Sequence, residues 1–311
     1  MTLLDRRFMF LRRLALLCAA TVFAVTSLSA FIRLSKEGLG CADWPQCYGQ
    51  EFRQTAPGQP ALAAPPEVPA AIAAARFAHR VVAVLALVLV VSMVTVCFGN
   101  RPVLRMEGAL ALALIALALF LAVLGRWSSG ARIPAVAIGN VMGGFAMLAL
   151  SLRLAAAGRP LPVPRPRVLV AAAALLLLVQ VALGALVSAS HAGLSCVAWA
   201  DCVAGARAVD WATLNPWHEP VLGALPPFNP AGALAQVLHR GVALALVLLL
   251  PMVAWRAWCC GRMRSAVALL LGVAAQVALG LVQVQASLPL GVALLHNQLA
   301  AGLLATLVLL L

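Results

Sequence analysis

Apolar residues in this chain neither alternate with polar ones nor recur on a single helical face. They run on without interruption. Eight runs reach the length needed to cross a bilayer, about 20 residues: roughly 13–32, 72–96, 107–125, 134–152, 168–187, 231–253, 266–284 and 289–309. The runs are rich in Ala and Leu and lack the period of two that marks a strand. Backbone polar groups in lipid must be satisfied within their own segment, so each run predicts a helix. The first run has the position of a signal peptide. It is long, however, and no clear small-residue cleavage site follows it, so it counts as a span. The expected fold class is all-α: a polytopic membrane protein with eight transmembrane helices.

Composition agrees. Of 311 residues, 64% are hydrophobic and 10% charged, against about a quarter charged in a soluble domain. The net charge of +13 would by itself suggest a nucleic-acid partner, but its distribution indicates topology instead. With the N-terminus in the cytoplasm, the inner segments hold 13 of the 22 basic residues: Arg6, Arg7, Arg12, Arg13, Arg101, Arg105, Arg153, Arg159, Arg165, Arg167, Arg256, Arg262 and Arg264. They hold two acids, Asp5 and Glu107. This is the positive-inside pattern. It predicts a multi-pass protein of the cell inner membrane, embedded in lipid, with no nucleic-acid partner.

The segment "KEGLGCADWPQCYGQ" (36–50) has a near copy in "SHAGLSCVAWADCVAG" (190–205). "AFIRLSKEGLGC" (30–41) aligns without gaps to "ALVSASHAGLSC" (185–196), "FAHR" (77–80) matches "VLHR" (237–240), and Pro134 matches Pro289. Four helices are thus expected to repeat as four. The N-terminal bundle is residues 1–152 and the C-terminal bundle residues 168–311. A proline-rich linker, 153–167, joins them in extended form. Each half crosses the membrane an even number of times, so the repeat is parallel. Cys41, Cys47, Cys196 and Cys202 fall in the two long outer loops, where an oxidising compartment permits disulfides. A metal site is the alternative, but no Cys-x-x-Cys pair or clustered His supplies four close ligands. Each cysteine loop is expected to lie over the mouth of its own bundle.

Polar residues inside spans are expensive and mark function. His79, His239 and His296 each lie about seven or eight residues from the outer end of a span, roughly 10–12 Å deep at 1.5 Å per residue. The second half brings two of them, His239 and His296, to one depth. Paired neutral imidazoles across a bundle core suit the two axial positions of a haem iron. Helix–helix hydrogen bonding is the plainer role for a lone buried His. Arg80 and Arg240 follow a His and can extend outward to pair with propionates. His191 and His218, in outer loops, are expected to be solvated. No Asp or Glu lies in the interior of a span, which argues against a carboxylate proton relay or an ion-coupled transporter. The repeated string "QVALG" (180–184 and 276–280) is compatible with simple helix packing.

These residues together resemble the haem A synthase family of cytochrome oxidase assembly. The resemblance rests on "RLSKEGLGCADWPQCYGQ" (33–50), "HR" at 79–80 and 239–240, "GLSCVAWADC" (193–202) and "LLHNQLAAGLL" (294–304), and it covers almost the whole chain. It implies two four-helix halves, with a haem b held in the C-terminal half by His239 and His296. Haem O is then the substrate in the N-terminal half, where a methyl group of the macrocycle becomes formyl. The outer cysteines are implied to pair as Cys41 with Cys47 and Cys196 with Cys202. Haem O synthase and oxidase assembly factors are the implied partners. Two residues depart from the family. Asn140 stands where a span-four His is expected, six residues after Pro134. Arg76 stands where a Glu precedes the span-two His by three. An amide is a poor iron ligand beside imidazole, and Arg cannot serve as a base. His79, Arg76 and Asn140 are therefore the candidate catalytic set, with His79, His239 and His296 the candidate iron ligands. Two activities remain open: a membrane oxidoreductase, or a haem-binding assembly factor or carrier that has lost catalysis.

Overall fold

Where the chain turns from apolar runs to short polar segments, its helices end. The computed structural model describes residues 2–41, 43–54, 69–128, 130–158, 167–222 and 229–311. Among these, the α-helices in chain order are α1 (Leu3–Lys36), α2 (Gln50–Gln54), α3 (Ala70–Phe98), α4 (Arg105–Ser128), α5 (Pro134–Ala155), α6 (Arg167–Ala189), α7 (Trp199–Arg207), α8 (Ala233–Cys259), α9 (Met263–Gln285) and α10 (Leu290–Leu310). All but the short α2 and α7 are long and apolar enough to cross a membrane, which makes eight candidate spans among the described residues. The fold is all-helical, as expected.

Local chemistry sets the ends. The Thr2 hydroxyl accepts the Asp5 N–H at 3.1 Å, and the Asp5 carboxylate accepts the Thr2 N–H at 2.8 Å. This capping box starts α1 well before its apolar run. With 34 residues, α1 is about 50 Å long and exceeds the roughly 30 Å hydrocarbon core. Its polar end, Arg33–Lys36, therefore lies beyond the apolar stretch. Pro134 opens α5 at its first turn, where a missing N–H costs nothing, and Pro289 sits at the N-cap of α10.

Helices α3 and α5 each pack on both α1 and α4, so they stand at opposite corners of a four-helix ring. In the same way α8 and α10 each pack on α6 and α9. The rings meet where α5 touches α6 and α10 and where α10 touches α1. One apolar core runs through both, including Leu11, Val90, Phe145, Leu177, Leu250 and Leu304. Small residues allow close approach in α5: a Cβ at Gly143 would fall 2.5 Å from Leu121, and one at Gly144 would fall 2.7 Å from Thr26. Large apolar residues such as Phe77, Val84, Leu175, Leu248 and Leu271 remain exposed on the outside, as lipid-facing positions do.

One end of the molecule carries the cysteine loops. At the other, Arg7 of α1 donates to the carbonyls of Val96 at 2.7 Å and Pro102 at 2.9 Å, and Arg12 donates to that of Ala157 at 2.8 Å. These guanidinium groups satisfy carbonyls left over at the C-terminal ends of α3 and α5. The expected linker is shortened at both ends, because α5 continues to Ala155 and α6 begins at Arg167. Residues 159–166, with Arg159, Arg165 and the linker prolines, lie outside the described residues.

Candidate functional site

His239 and His296 each lie six residues into a helix, after Ala233 of α8 and Leu290 of α10. At 1.5 Å per residue both are about 9 Å in. They stand on helices at opposite corners of one ring. The Nδ1 of each is buried without a hydrogen-bond partner. Buried polar atoms are normally satisfied, so this matched pair of exceptions at one level makes the two histidines the candidate site in the second ring. The His239 Nε2 lies 3.3 Å from the side-chain nitrogen of Gln180 on α6. Among the described residues, no group of three or more His, Cys, Asp or Glu is placed to hold a metal ion.

The first ring is arranged differently. His79 is nine residues into α3 and Asn140 six residues into α5, so counted from their helix starts the two are not matched in depth. Both are half-buried, while Arg76 and Arg80 on α3 are exposed. Arg240 extends outward, as its position after His239 suggested, but its guanidinium is engaged by the second cysteine loop. Nη1 donates to the Val197 carbonyl and to Cys202 Sγ, both at 3.1 Å, and Nη2 donates to the Cys196 carbonyl at 3.2 Å.

Cys41 is bonded to Cys47 and Cys196 to Cys202. Cys18 and Cys97 are free and buried, and Cys259 and Cys260 are free and exposed. The placement of the first loop corrects the expectation of one lid per half. Leu39 and Tyr48 of that loop form a small core with Leu34, Leu194 and Ala293, against Leu290 and Leu294 of α10. Ala293 precedes His296 by three residues on the same helix. The first cysteine loop therefore reaches across to the second half, and both loops gather near His239 and His296.

A polar clasp holds it there. Arg33 of α1 donates to the Ser188 hydroxyl of α6, and Ser188 Oγ lies 2.8–2.9 Å from both carboxylate oxygens of Glu37. Glu37 is buried, and burial pushes its pKa up against the pull of Arg33, 3.4 Å away. The Tyr48 hydroxyl accepts the Gly193 N–H at 3.4 Å. Burial, reinforced by the charge of Glu37, raises the Tyr48 pKa.

His191, expected to be solvated, is 7% exposed. It stands just past the end of α6 at φ +52°, and the Ala192 N–H reaches back to Val187 at 2.8 Å. This is the left-handed position that Gly usually takes at a helix end. His holds it because its ring packs on Tyr48 (5.5 Å between centroids) and Phe52 (5.3 Å). Burial, then the charges of Arg53 and Arg132, lower its pKa to about 4. Arg132 lies 3.9 Å over the Phe52 ring and bonds Glu219 at 2.8 Å, a further tie between halves. His218 is exposed, as expected.

Sequence reading missed Glu37, Ser188, Tyr48 and His191 as one cluster. Tyr48 alone gave a signal, as the single tyrosine of the chain placed inside a cysteine loop. Gln180 was visible only as part of a repeated string.

The comparisons with known proteins fit this arrangement. The model of the family described as "Cytochrome oxidase assembly protein" (COX15-CtaA) matches residues 12–308. The chain is also similar to a protein named "Heme A synthase" from Shewanella oneidensis, with 30% identity over 304 residues, covering 91% of this chain and 90% of the relative. With eight apolar helices of spanning length and a match over nearly its whole length, the chain is a multi-pass membrane protein that belongs to the COX15-CtaA family of cytochrome oxidase assembly proteins.

Proposed function

We propose that this protein is a haem A synthase: a membrane oxidoreductase that converts a methyl group of haem O to formyl during cytochrome oxidase assembly. The observation that carries the reading is the pair His239 and His296, level with each other on facing helices, each with a buried and unpartnered Nδ1. The residues fit a haem b. Two imidazoles alone would not complete a metal site, but His239 and His296 would suffice to hold a haem, whose macrocycle brings its other nitrogens. When bound, that haem supplies electron transfer. The chain's own part is to hold the two rings, exclude water with the cysteine loops, and fix the surroundings.

Haem O is assigned to the first ring, residues 1–152, and haem b to the second, 168–311. In the first ring His79 supplies one ligand-type nitrogen. Asn140 offers an amide that hydrogen-bonds rather than ligates, and Arg76, one turn before His79, offers a fixed positive charge for a propionate. The basic end, held by Arg7 and Arg12, is assigned to the cytoplasm and the cysteine loops to the outside of an inner membrane. Haem O synthase is the natural donor of substrate, and other oxidase assembly factors are the natural neighbours.

The test is haem extraction from a strain lacking its own haem A synthase but supplied with haem O. The native chain should produce haem A and His79→Ala should not. Haem A at native levels from His79→Ala would sink the assignment of the first ring. The second reading, a haem-binding assembly factor without catalysis, is favoured by Arg76 and Asn140. Retained haem b with no haem A would support it.

A further inference from the structure

The string "QVALG" occurs twice, and each copy lies against one of the two histidines. On α6, the Gln180 amide lies against His239 with its nitrogen 3.3 Å from Nε2, and the same amide turned over about its last torsion puts the oxygen there as acceptor for an Nε2–H. One turn on, a Cβ at Gly184 would fall 3.1 Å from His239 Cε1. On α9, Gln276 stands at the matching place, and its side-chain oxygen is buried without a partner. One turn on, a Cβ at Gly280 would fall 3.6 Å from His296 Cε1. The carbonyl oxygens of the Gln180 and Gln276 side chains are both buried without a partner.

The spacing has a physical reason. A helical side chain covers the turn N-terminal to its own Cα. Glycine four residues after a glutamine therefore leaves that glutamine's backbone uncovered, so a ring from the neighbouring helix can rest on it. The glutamine side chain adds an amide that can donate to or accept from the imidazole. The first half lacks the device. The register that aligns 30–41 with 185–196 and Pro134 with Pro289 puts Val25 at the position of Gln180 and Leu121 at that of Gln276. At these two span positions, glutamines stand only in the half that carries the level pair of histidines.

We propose that Gln180 with Gly184, and Gln276 with Gly280, are positioning residues that hold one nitrogen of His239 and of His296, leaving the other nitrogen of each ring for the shared centre. An imidazole whose second nitrogen is held by an acceptor is fixed in tautomer and orientation and is a more basic ligand. This rests on the reading that His239 and His296 hold a haem. The two cradles then set how strongly each ring binds ferric iron, and thus the potential of that haem.

The experiment uses the purified full-length chain with its haem and reads midpoint potential, absorption and low-temperature EPR. Gln180→Leu and Gln276→Leu should keep a six-coordinate low-spin spectrum, change its g-anisotropy, move the potential upward, and weaken haem retention about tenfold. Gln180→Glu, which adds a stronger acceptor, should move the potential downward. A purely structural role does not predict that reversal of sign, and the Glu variant keeps the test open if the Leu variants fold poorly. Unchanged potential and EPR in these variants would overturn the inference, provided His239→Ala and His296→Ala each destroy the six-coordinate spectrum. If those alanine variants keep the native spectrum, the haem assignment itself fails and this inference fails with it.

Discussion

His239 and His296 were legible because an imidazole at matched depth in two apolar runs needs no tertiary knowledge to stand out. On the proposed reading each would hold the haem iron from one side, so His239→Ala or His296→Ala should leave one of its positions open. The expected result is a high-spin absorption spectrum or loss of haem on purification, and a native low-spin spectrum in both variants would remove the assignment. His191 was not legible. Its burial depends on a loop from the other half and on a left-handed backbone that sequence patterns assign to Gly. It also makes the clasp sensitive to pH. Burial holds its pKa at about 4, against about 6.5 when exposed. Between those values the opened clasp binds a proton that the closed one does not. Clasp stability therefore falls as pH drops from about 6.5 towards 4, by about 3 kcal/mol at most. Glu37 works in the opposite direction, because its raised pKa favours the closed form at low pH. The difference between native protein and His191→Gln isolates the histidine. Deuterium uptake of residues 43–54, corrected for intrinsic exchange, should rise between pH 7 and pH 5 in the native chain more than in the variant. Parallel pH profiles would contradict the prediction.

At the scale of elements, all eight spans were readable, since lipid leaves an apolar run no alternative to a helix, but α1 begins well before its expected run 13–32 and α8 continues past its expected end at 253. Their ends followed from chemistry visible in the sequence, such as Thr2 with Asp5 and the prolines at 134 and 289. Helix α7 was not anticipated: nine residues beginning Trp-Ala-Asp-Cys carry too little pattern, and its place depends on packing against α8. The anchor of that segment is Arg240, whose donors bridge Cys196, Val197 and Cys202. Arg240→Ala should therefore loosen the second cysteine loop by about 1–3 kcal/mol, and Arg240→Lys should not restore it, because an ammonium cannot reproduce the fork. Limited proteolysis within 197–207 should rise in both variants. Cleavage at the native rate would show that the loop is held by its disulfide alone.

At the scale of the whole molecule, the repeat in sequence suggests two equal pockets, but the structure is unequal. Both cysteine loops and the Gln180–His239 contact gather on the second half, which the Arg33–Ser188–Glu37 clasp ties to α1, as fits the permanently held group proposed there. In the first half, Arg76 and Arg80 on α3 remain exposed among the described residues, as fits a substrate that must enter and leave. On that view Arg76 and Asn140 belong to an exchange site, not to a failed copy of the second. An amide at 140 leaves His79 as the one ligand-type side chain there, so a substrate haem would be held less tightly than by two imidazoles and would exchange more readily. The native chain should then make haem A, His79→Ala should lower the yield roughly 10–100-fold, and Asn140→His should trap substrate haem and slow turnover. The measurement is haem A content, with bound haem O, in a strain lacking other synthases, comparing native chain, Asn140→His, and Asn140→His with Arg76→Glu. If only the double variant produces haem A, the first half is a degenerate site that the family residues revive, and the exchange-site argument is wrong.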